Sequence, residues 1–213
     1  MNKPLVMLGG GGHASVLADI LISQGATIIA VVTPHPINSS SLLSELPRIN
    51  QDECVSRVYS PDKVDLVNGI GALPNSNSRN RVFDYFAEQG YYFPPIISSN
   101  ALISKYSNIL EGVQVMPGVI IQPNAEIKVN TIINTGVIIE HDCKIGEHNH
   151  IAPGAVLSGG VITESYVHIG TGATIIQGIC IRSNAIIGAG TTIARNVPQG
   201  RVLIPARSRV LKE

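Results

Sequence analysis

Charged and aromatic residues are scarce in this chain. Only 14% of its 213 residues are Asp, Glu, Lys or Arg, the formal net charge is zero, and aromatic residues make up 4% with no tryptophan. No segment is rich in Lys and Arg. Because binding to nucleic acid requires clustered cationic side chains, the sequence argues against nucleic acid as the main partner.

Cysteines are also few, and no long apolar run opens the chain. Cys54, Cys143 and Cys180 are odd in number and have no metal-type spacing, which indicates reduced thiols in a reducing compartment. The apolar residues before Gly9 are too few for a signal peptide or a membrane span. We therefore expect a cytoplasmic protein.

The second half of the chain has an aliphatic residue at every sixth position. Sixteen of the seventeen places in this register, from Ile97 to Ile193, hold Ile, Leu or Val, and Thr163 is the one exception. Three residues after these places, Gly or Asn occurs thirteen times in seventeen, and both residue types tolerate a positive φ at a corner. A fixed hexapeptide period predicts a parallel β-helix with three hexapeptides per turn, filled by ladders of aliphatic side chains.

Residues before about position 95 lack the six-residue period and predict a small Rossmann-like α/β domain. An apolar run over 5–8 predicts a strand, residues 14–24 predict a helix that ends at Gly25, and residues 27–32 predict a second strand. A strand, a helix and a second strand in this order are typical of a parallel sheet.

The pattern of predicted strands and helices continues up to a pair of prolines. Residues 64–67 predict another strand, and residues 79–89 predict a helix with Ser78 as its N-cap and Gly90 at its end. Pro94 and Pro95 then separate the two kinds of pattern. The predicted domains are therefore 1–95 and 96–213.

A glycine-rich loop joins the first predicted strand to the first helix. Gly9, Gly11 and Ala14 fit a variant of the dinucleotide fingerprint, in which the backbone approaches a pyrophosphate and the helix N-terminus attracts its charge. The acid expected after the second strand is missing, since that place holds Thr33, and this disfavours a hydride-transferring NAD enzyme. Alternatively, the glycines only form a tight turn.

Four histidines occur within the repeats. His141 lies between Glu140 and Asp142, and a neighbouring carboxylate can orient an imidazole and stabilise its protonated form, as a general base for acyl transfer requires. A surface histidine in a turn is an equally open interpretation. His148, His150 and His168 are candidates for a zinc site, although no compact ligand motif supports one.

These motifs together carry a family resemblance. With the six-residue ladder, the loop 9–14 and the segment 133–142, the chain resembles the bacterial sugar O- and N-acetyltransferases of the sialic acid acetyltransferase and PglD type. The resemblance implies a left-handed β-helix domain for acetyl-CoA, an N-terminal domain for a nucleotide-linked sugar or sialic acid, homotrimers with active sites between subunits, and no metal. It implies acetyl transfer to an amino or hydroxyl group in glycan or polysaccharide biosynthesis.

The resemblance also implies roles for particular residues. His141 corresponds to the general base, Asp142 to its acidic partner, and Asn134 to a polar contact with the acceptor. The acceptor would attack the thioester directly, because no nucleophilic side chain is placed beside the histidine. The nucleotide-sugar loop comprises Gly9, Gly10, Gly11, Gly12 and His13, and the coenzyme contacts comprise His150, Gly159, Thr171 and Ala189.

The sequence departs from the family pattern at three places, and two other functions stay open. The acid near Thr33 is absent, the entry to the coil reads Ser-Ser-Asn-Ala over 98–101, and Leu203 replaces the glycine of the C-terminal motif 203–207. The alternatives are a zinc hydratase of the carbonic anhydrase type, which also occurs on left-handed β-helices, and a non-catalytic nucleotide-sugar binder.

Overall fold

The computed structural model describes residues 3–74 and 76–205, and the chain divides into two compact units. The first unit contains the residues up to Ser99 together with Ile109–Val115. The second contains Asn100–Asn108 and the residues from Met116 onward. The predicted Rossmann-like sheet lies in the first unit, and most of the β-helix lies in the second.

A four-stranded parallel sheet forms the centre of the first unit. Its strands are β1 (Leu5–Leu8), β2 (Ile28–Val32), β3 (Arg48–Ile49) and β4 (Asp65–Asn68), in the order β3-β2-β1-β4. The central β1 is buried along its whole length, as its apolar sequence requires in a sheet whose two faces are covered. The predicted parallel α/β unit is confirmed, and the third predicted strand is shifted by one residue.

Helices follow β1, β3 and β4 along the chain. They are α1 (Gly12–Ser23), a 3-10 turn (Asp52–Cys54), α2 (Val55–Val58) and α3 (Ser78–Ala87). The prediction that Ser78 is an N-cap is wrong, because Asn77 occupies that position without a side-chain cap and Ser78 is the first helical residue. Within 3–74 and 76–205, no helix is long and apolar enough to cross a membrane.

Two-residue strands form the parallel β-helix. In the first unit, β5 (Ile96–Ile97) pairs with β8 (Gln114–Val115). The other strands are β6 (Leu102–Ile103), β7 (Asn108–Ile109), β9 (Ile120–Ile121), β10 (Glu126–Ile127), β11 (Ile132–Ile133), β12 (Ile138–Ile139), β13 (Lys144–Ile145), β14 (His150–Ile151), β15 (Val156–Leu157), β16 (Ile162–Thr163), β17 (His168–Ile169), β18 (Thr174–Ile175), β19 (Cys180–Ile181), β20 (Ile186–Ile187), β21 (Thr192–Ile193) and β22 (Val202–Leu203).

The strands of the second unit stack into three parallel faces. We call them the aliphatic face (β6, β9, β12, β15, β18 and β21), the polar face (β10, β13, β16 and β19) and the histidine face (β11, β14, β17, β20 and β22). From β9 to β21 the second residue of every strand is buried. The predicted coil is thus confirmed, with the ladder residues inside and the first residue of each strand from β9 to β21 at least partly exposed, apart from the buried Ile132.

Corners between the faces have left-handed backbone. Every sixth residue from Gly112 to Gly190 has a positive φ, so the corner prediction is confirmed along the coil; it fails at the ends of the register, Asn100 and Asn196. Two corner residues, His148 and Tyr166, have φ values of 56° and 62°. Neither has the conformational freedom of glycine, and neither can form the local side-chain hydrogen bonds by which asparagine stabilises this backbone. Their rings stack with centroids 4.9 Å apart, which offsets part of the cost of that backbone.

Thr163, the exception in the ladder, belongs to a buried polar network. Its Oγ1 accepts hydrogen bonds from the Asn149 side chain at 2.6 Å and from the Gly146 amide at 3.2 Å. The side-chain Oδ1 of Asn149 accepts a hydrogen bond from the Val167 backbone amide at 2.7 Å, and Asn149 is 0% exposed. Since a buried amide needs partners for both of its ends, the hydroxyl at 163 stabilises the coil where another aliphatic residue would not.

The six-residue ladder alone would predict that an aliphatic residue at position 163 stabilises the coil. The buried network predicts that it destabilises the coil. Thr163→Val places a β-branched aliphatic residue in register but leaves the Asn149 amide without its acceptor, so we expect a loss of about 1–3 kcal/mol in the free energy of unfolding. Urea denaturation at fixed protein concentration measures this loss. Thr163→Ser, which retains the hydroxyl, should lose less; a valine variant as stable as the wild type would refute the role of the network.

Candidate active site

His141 and Asp142 occupy the corner between the aliphatic and polar faces, directly after β12. His141 Nδ1 lies 2.7 Å from Asp142 Oδ2, and both side chains are 57% exposed. Asp142 Oδ1 accepts a second hydrogen bond, from Asn124 Nδ2 at 3.0 Å. The bond from His141, and then the bond from Asn124, lower the pKa of Asp142 below its usual value, so this carboxylate is ionised at neutral pH.

The ionised carboxylate determines which imidazole nitrogen is free to react. A carboxylate only accepts hydrogen bonds, so the proton of a neutral His141 ring lies on Nδ1 and its lone pair lies on Nε2. Asp142 has the left-handed φ of the other corners of the coil, 61°, which Asp tolerates better than most residues. The corner therefore presents an oriented imidazole whose Nε2 can accept a proton.

Gly159 lies directly against the His141 ring. A Cβ atom at position 159 would be 2.6 Å from both Cε1 and Nε2 of His141, far inside van der Waals contact. Gly159 does not have a positive φ, so it is the ring and not the backbone that requires glycine there. The sequence assigned Gly159 only to the coenzyme, whereas its position also determines where the His141 ring can lie.

Cys143, two residues beyond His141, is not available as a nucleophile. Its side chain is buried, its thiol donates to the Ser158 carbonyl at 3.2 Å, and burial raises its pKa to about 11. A thiol with this pKa has almost no thiolate at neutral pH. Cys143 therefore supplies no activated nucleophile beside His141.

Asn134 and His150 form a second group, at the corner between the histidine and aliphatic faces. Asn134 Oδ1 accepts from the Thr135 amide at 2.8 Å, so its Nδ2 faces His150 Nε2, at 3.1 Å. The His150 ring meets that of His168 edge to face, with centroids 5.0 Å apart, and burial lowers the pKa of His168. These contacts orient both imidazoles on the histidine face, and burial favours the neutral form of His168.

Within one chain the predicted residues are divided between two corners of the aliphatic face. Gly159 lies with His141 at one corner. Thr171 and Ala189 follow β17 and β20, and therefore share the other corner with Asn134. The structure does not bring the predicted base and the predicted acetyl contact of one chain together.

In the first unit, the glycine loop lies at the carboxyl ends of β1 and β4. Gly9 has a φ of 97°, and a Cβ there would be 3.2 Å from the Gly69 carbonyl carbon. In contrast, a Cβ on Gly11 or Gly12 would meet nothing within 4 Å. Packing requires Gly9 but not the other two, whose open backbone is the kind that accommodates a phosphate at a helix N-terminus.

Sequence reasoning missed Gln114 and Arg79, which lie behind this loop. His13 Nε2 lies 2.8 Å from Gln114 Oε1, and Gln114 Nε2 donates to the Asn68 carbonyl at 2.8 Å. Arg79 Nη1 donates to the carbonyls of Asn68 and Ile70, each at 2.8 Å. One available signal was a glutamine between Val113 and Val115 in an otherwise aliphatic run.

The candidate zinc ligands have other neighbours. His148 Nδ1 lies 3.0 Å from the Asn130 amide nitrogen, and its ring stacks on Tyr166. Among the described residues of one chain, no three His, Cys, Asp or Glu side chains are grouped so that they could hold a metal ion. At the coenzyme end, Leu203 lies in β22, while Ala206 and Arg207 of the C-terminal motif are outside the described residues.

Family models and solved structures match this chain. The PglD N-terminal domain matches residues 4–86, and the bacterial transferase hexapeptide (six repeats) matches residues 130–159. The acetyltransferase domain of PglB from Neisseria gonorrhoeae, solved with acetyl coenzyme A, is 28% identical with a TM-score of 0.84, covering 96% of this chain and 97% of that one. The chain thus has a PglD-type N-terminal domain and transferase hexapeptide repeats, and it is similar to the PglB acetyltransferase domain over nearly its full length.

Two further structures of this acetyltransferase fold align over nearly the full length. PerB from Caulobacter crescentus, in complex with CoA and GDP-perosamine, is 29% identical with a TM-score of 0.82, covering 95% of this chain and 94% of that one. WeeI from Acinetobacter baumannii shares the fold at 23% identity and a TM-score of 0.82, covering 99% of this chain and 100% of that one. No curated protein matches the sequence.

Proposed function

We propose that the chain transfers acetyl from acetyl-CoA to an amino or hydroxyl group of a nucleotide-linked sugar, in glycan or polysaccharide biosynthesis, with His141 as the general base. The observation that carries this proposal is the bond of His141 Nδ1 to the ionised Asp142, which leaves Nε2 as a base. The acetyl-CoA complex of PglB and the CoA and GDP-perosamine complex of PerB support the donor and the class of acceptor.

In this mechanism His141 moves one proton. Nε2 takes the proton of the acceptor N–H or O–H as that atom attacks the thioester carbonyl, and Asp142 stabilises the resulting imidazolium. The tetrahedral intermediate then breaks its C–S bond, and the imidazolium proton passes to the departing thiolate to give CoA. The buried Cys143 thiol supports direct transfer over a covalent acyl-enzyme.

A trimer would join the two divided groups into one site. The aliphatic face presents Leu102, Ile120, Ile138 and Val156 outward, and Leu102 is 69% exposed. A stripe of this kind favours burial against other copies. With three aliphatic faces around one axis, the His141 corner of one chain meets the Asn134 and His150 corner of the next.

The assembly predicts that a charge on the aliphatic face abolishes both the trimer and turnover. Ile138→Lys should shift the mass measured by light scattering at micromolar concentration from three chains to one, because a lysine cannot be buried unpaired in the interface. Glu126→Lys, on the polar face, is the matched control and should remain trimeric. A wild-type monomer with full activity would contradict the shared site.

An acetyl-CoA consumption assay tests the reaction itself. The acceptors are UDP-, GDP-, TDP- and CMP-linked amino sugars, the corresponding hydroxyl sugars, and free sialic acid, with CoA release as the readout and mass spectrometry to locate the acetyl group. We expect turnover with a nucleotide-linked sugar. Binding of nucleotide-sugars without acetyl-CoA binding or CoA release would instead support a non-catalytic binder.

A further inference from the structure

A chain of hydrogen bonds in the first unit determines the protonation of His13. The Asn68 backbone carbonyl can only accept, so the Gln114 side chain must point its nitrogen at Asn68 and its oxygen at His13. That oxygen in turn can only accept, so His13 donates from Nε2. Gln114 is 2% exposed, and its amide therefore has little freedom to reverse.

Arg79 lies behind the same carbonyl group, and burial together with its charge keeps the His13 ring neutral. Its side chain is 2% exposed and bonds to Asn68 and Ile70 through Nη1, while Nε and Nη2 have no partner among the described residues. Burial, and then the charge of Arg79, lower the pKa of His13 to about 4. The neutral ring has one proton, on Nε2, and a lone pair on Nδ1 that bonds to no described residue.

We propose that Gln114 is a positioning residue of the nucleotide-sugar site, which fixes His13 with its proton on Nε2 so that Nδ1 accepts a hydrogen bond from a hydroxyl or amino group of the ligand. This inference rests on the proposed function. A phosphate oxygen at neutral pH has no proton to donate, so it is not the partner of Nδ1. The diphosphate instead takes the open backbone of Gly11 and Gly12.

The protonation state can be measured in the free protein, without a ligand. Protein selectively labelled with 15N-histidine, with His13 assigned by difference from a His13→Gln sample, should give the Nε2-protonated pattern throughout pH 5.5–8. In Gln114→Met, which removes both hydrogen bonds of the amide, the two tautomers should mix. A wild-type His13 with its proton on Nδ1, or an unchanged tautomer in Gln114→Met, would overturn the role of Gln114.

Two isosteric variants then identify the nitrogen that meets the ligand. Asparagine places an acceptor near the Nδ1 position, and glutamine places its amide near the Nε2 position. For the nucleotide-linked amino sugar of the acceptor panel that the wild type binds most tightly, titrated calorimetrically without acetyl-CoA, His13→Gln should weaken binding roughly threefold to tenfold, as for one lost hydrogen bond, and His13→Asn less.

The controls separate this inference from the function on which it rests. Gln89→Met, at an exposed glutamine of the first unit, should change neither the tautomer nor the affinity. If His13→Gln bound the nucleotide-sugar as tightly as the wild type, the assignment of Nδ1 to the ligand would be wrong even if acetylation were confirmed. Absence of acetyl transfer with every acceptor would refute the proposed reaction, while the tautomer measurement would still decide the role of Gln114.

Discussion

Replacing His141 with asparagine should lower kcat by roughly a hundredfold to ten-thousandfold, the range for loss of a general base. Asparagine can still donate to Asp142 from a similar position, but it has no nitrogen lone pair at neutral pH to take the acceptor's proton. Since the side chain at 141 is more than half exposed and packs into no core, the fold and the affinity for acetyl-CoA should be retained.

Steady-state rates with both substrates saturating measure this effect. Asp142→Asn is the companion variant: it retains the hydrogen bond to Asn124 but not the negative charge that stabilises the imidazolium, so its loss should be smaller than that of the His141 variant. Asn124→Ala should lose less again. If His141→Asn retained the wild-type kcat, the general base would have to be another residue.

The second large loss of activity is expected for a small substitution, glycine to alanine at position 159. Gly159→Ala adds one methyl group at a position 2.6 Å from two atoms of the His141 ring, so the ring must move. A displacement of about 1 Å at a reacting group can cost roughly a hundredfold in rate. Because the ring is exposed and free to shift, the same change should hardly alter the melting temperature.

The control for this variant is chosen from the same corner of the coil. Gly178→Asn introduces a larger side chain at a positive φ that asparagine tolerates, and its Cβ meets nothing within 4 Å. It should retain activity. A Gly159→Ala enzyme with unchanged kcat but a raised KM for acetyl-CoA would show that Gly159 serves only the coenzyme track that the sequence predicted.

The period of the sequence predicted the coil because interior packing repeats locally, once in each hexapeptide. It could not explain Thr163, since the partner that requires a hydroxyl, Asn149, is fourteen residues away. The ladder rule treats each position by itself. A buried polar pair becomes visible only when the turns are stacked and their interior positions face one another.

The candidate site was predictable in part for a similar reason. His141 and Asp142 are adjacent in sequence, so their pairing could be predicted from the sequence alone. Gln114 and His13 are 101 residues apart, and no local pattern joins them. Gly159 is an intermediate case: Ile139 pairs with Leu157 in the next turn, so residues eighteen apart stack, and this spacing places glycine against the base.

The same stacking restricts how the length of this chain can vary. Because a residue contacts its counterpart eighteen positions further on, adding or removing one complete turn leaves every later residue on its own face. Removing a single hexapeptide between β11 and β14 would move all later strands by one face, so that His150 would no longer pair with Ile132 on the histidine face. Viable insertions and deletions in the coil are therefore expected in multiples of eighteen residues, or as loops that leave a corner and return to it.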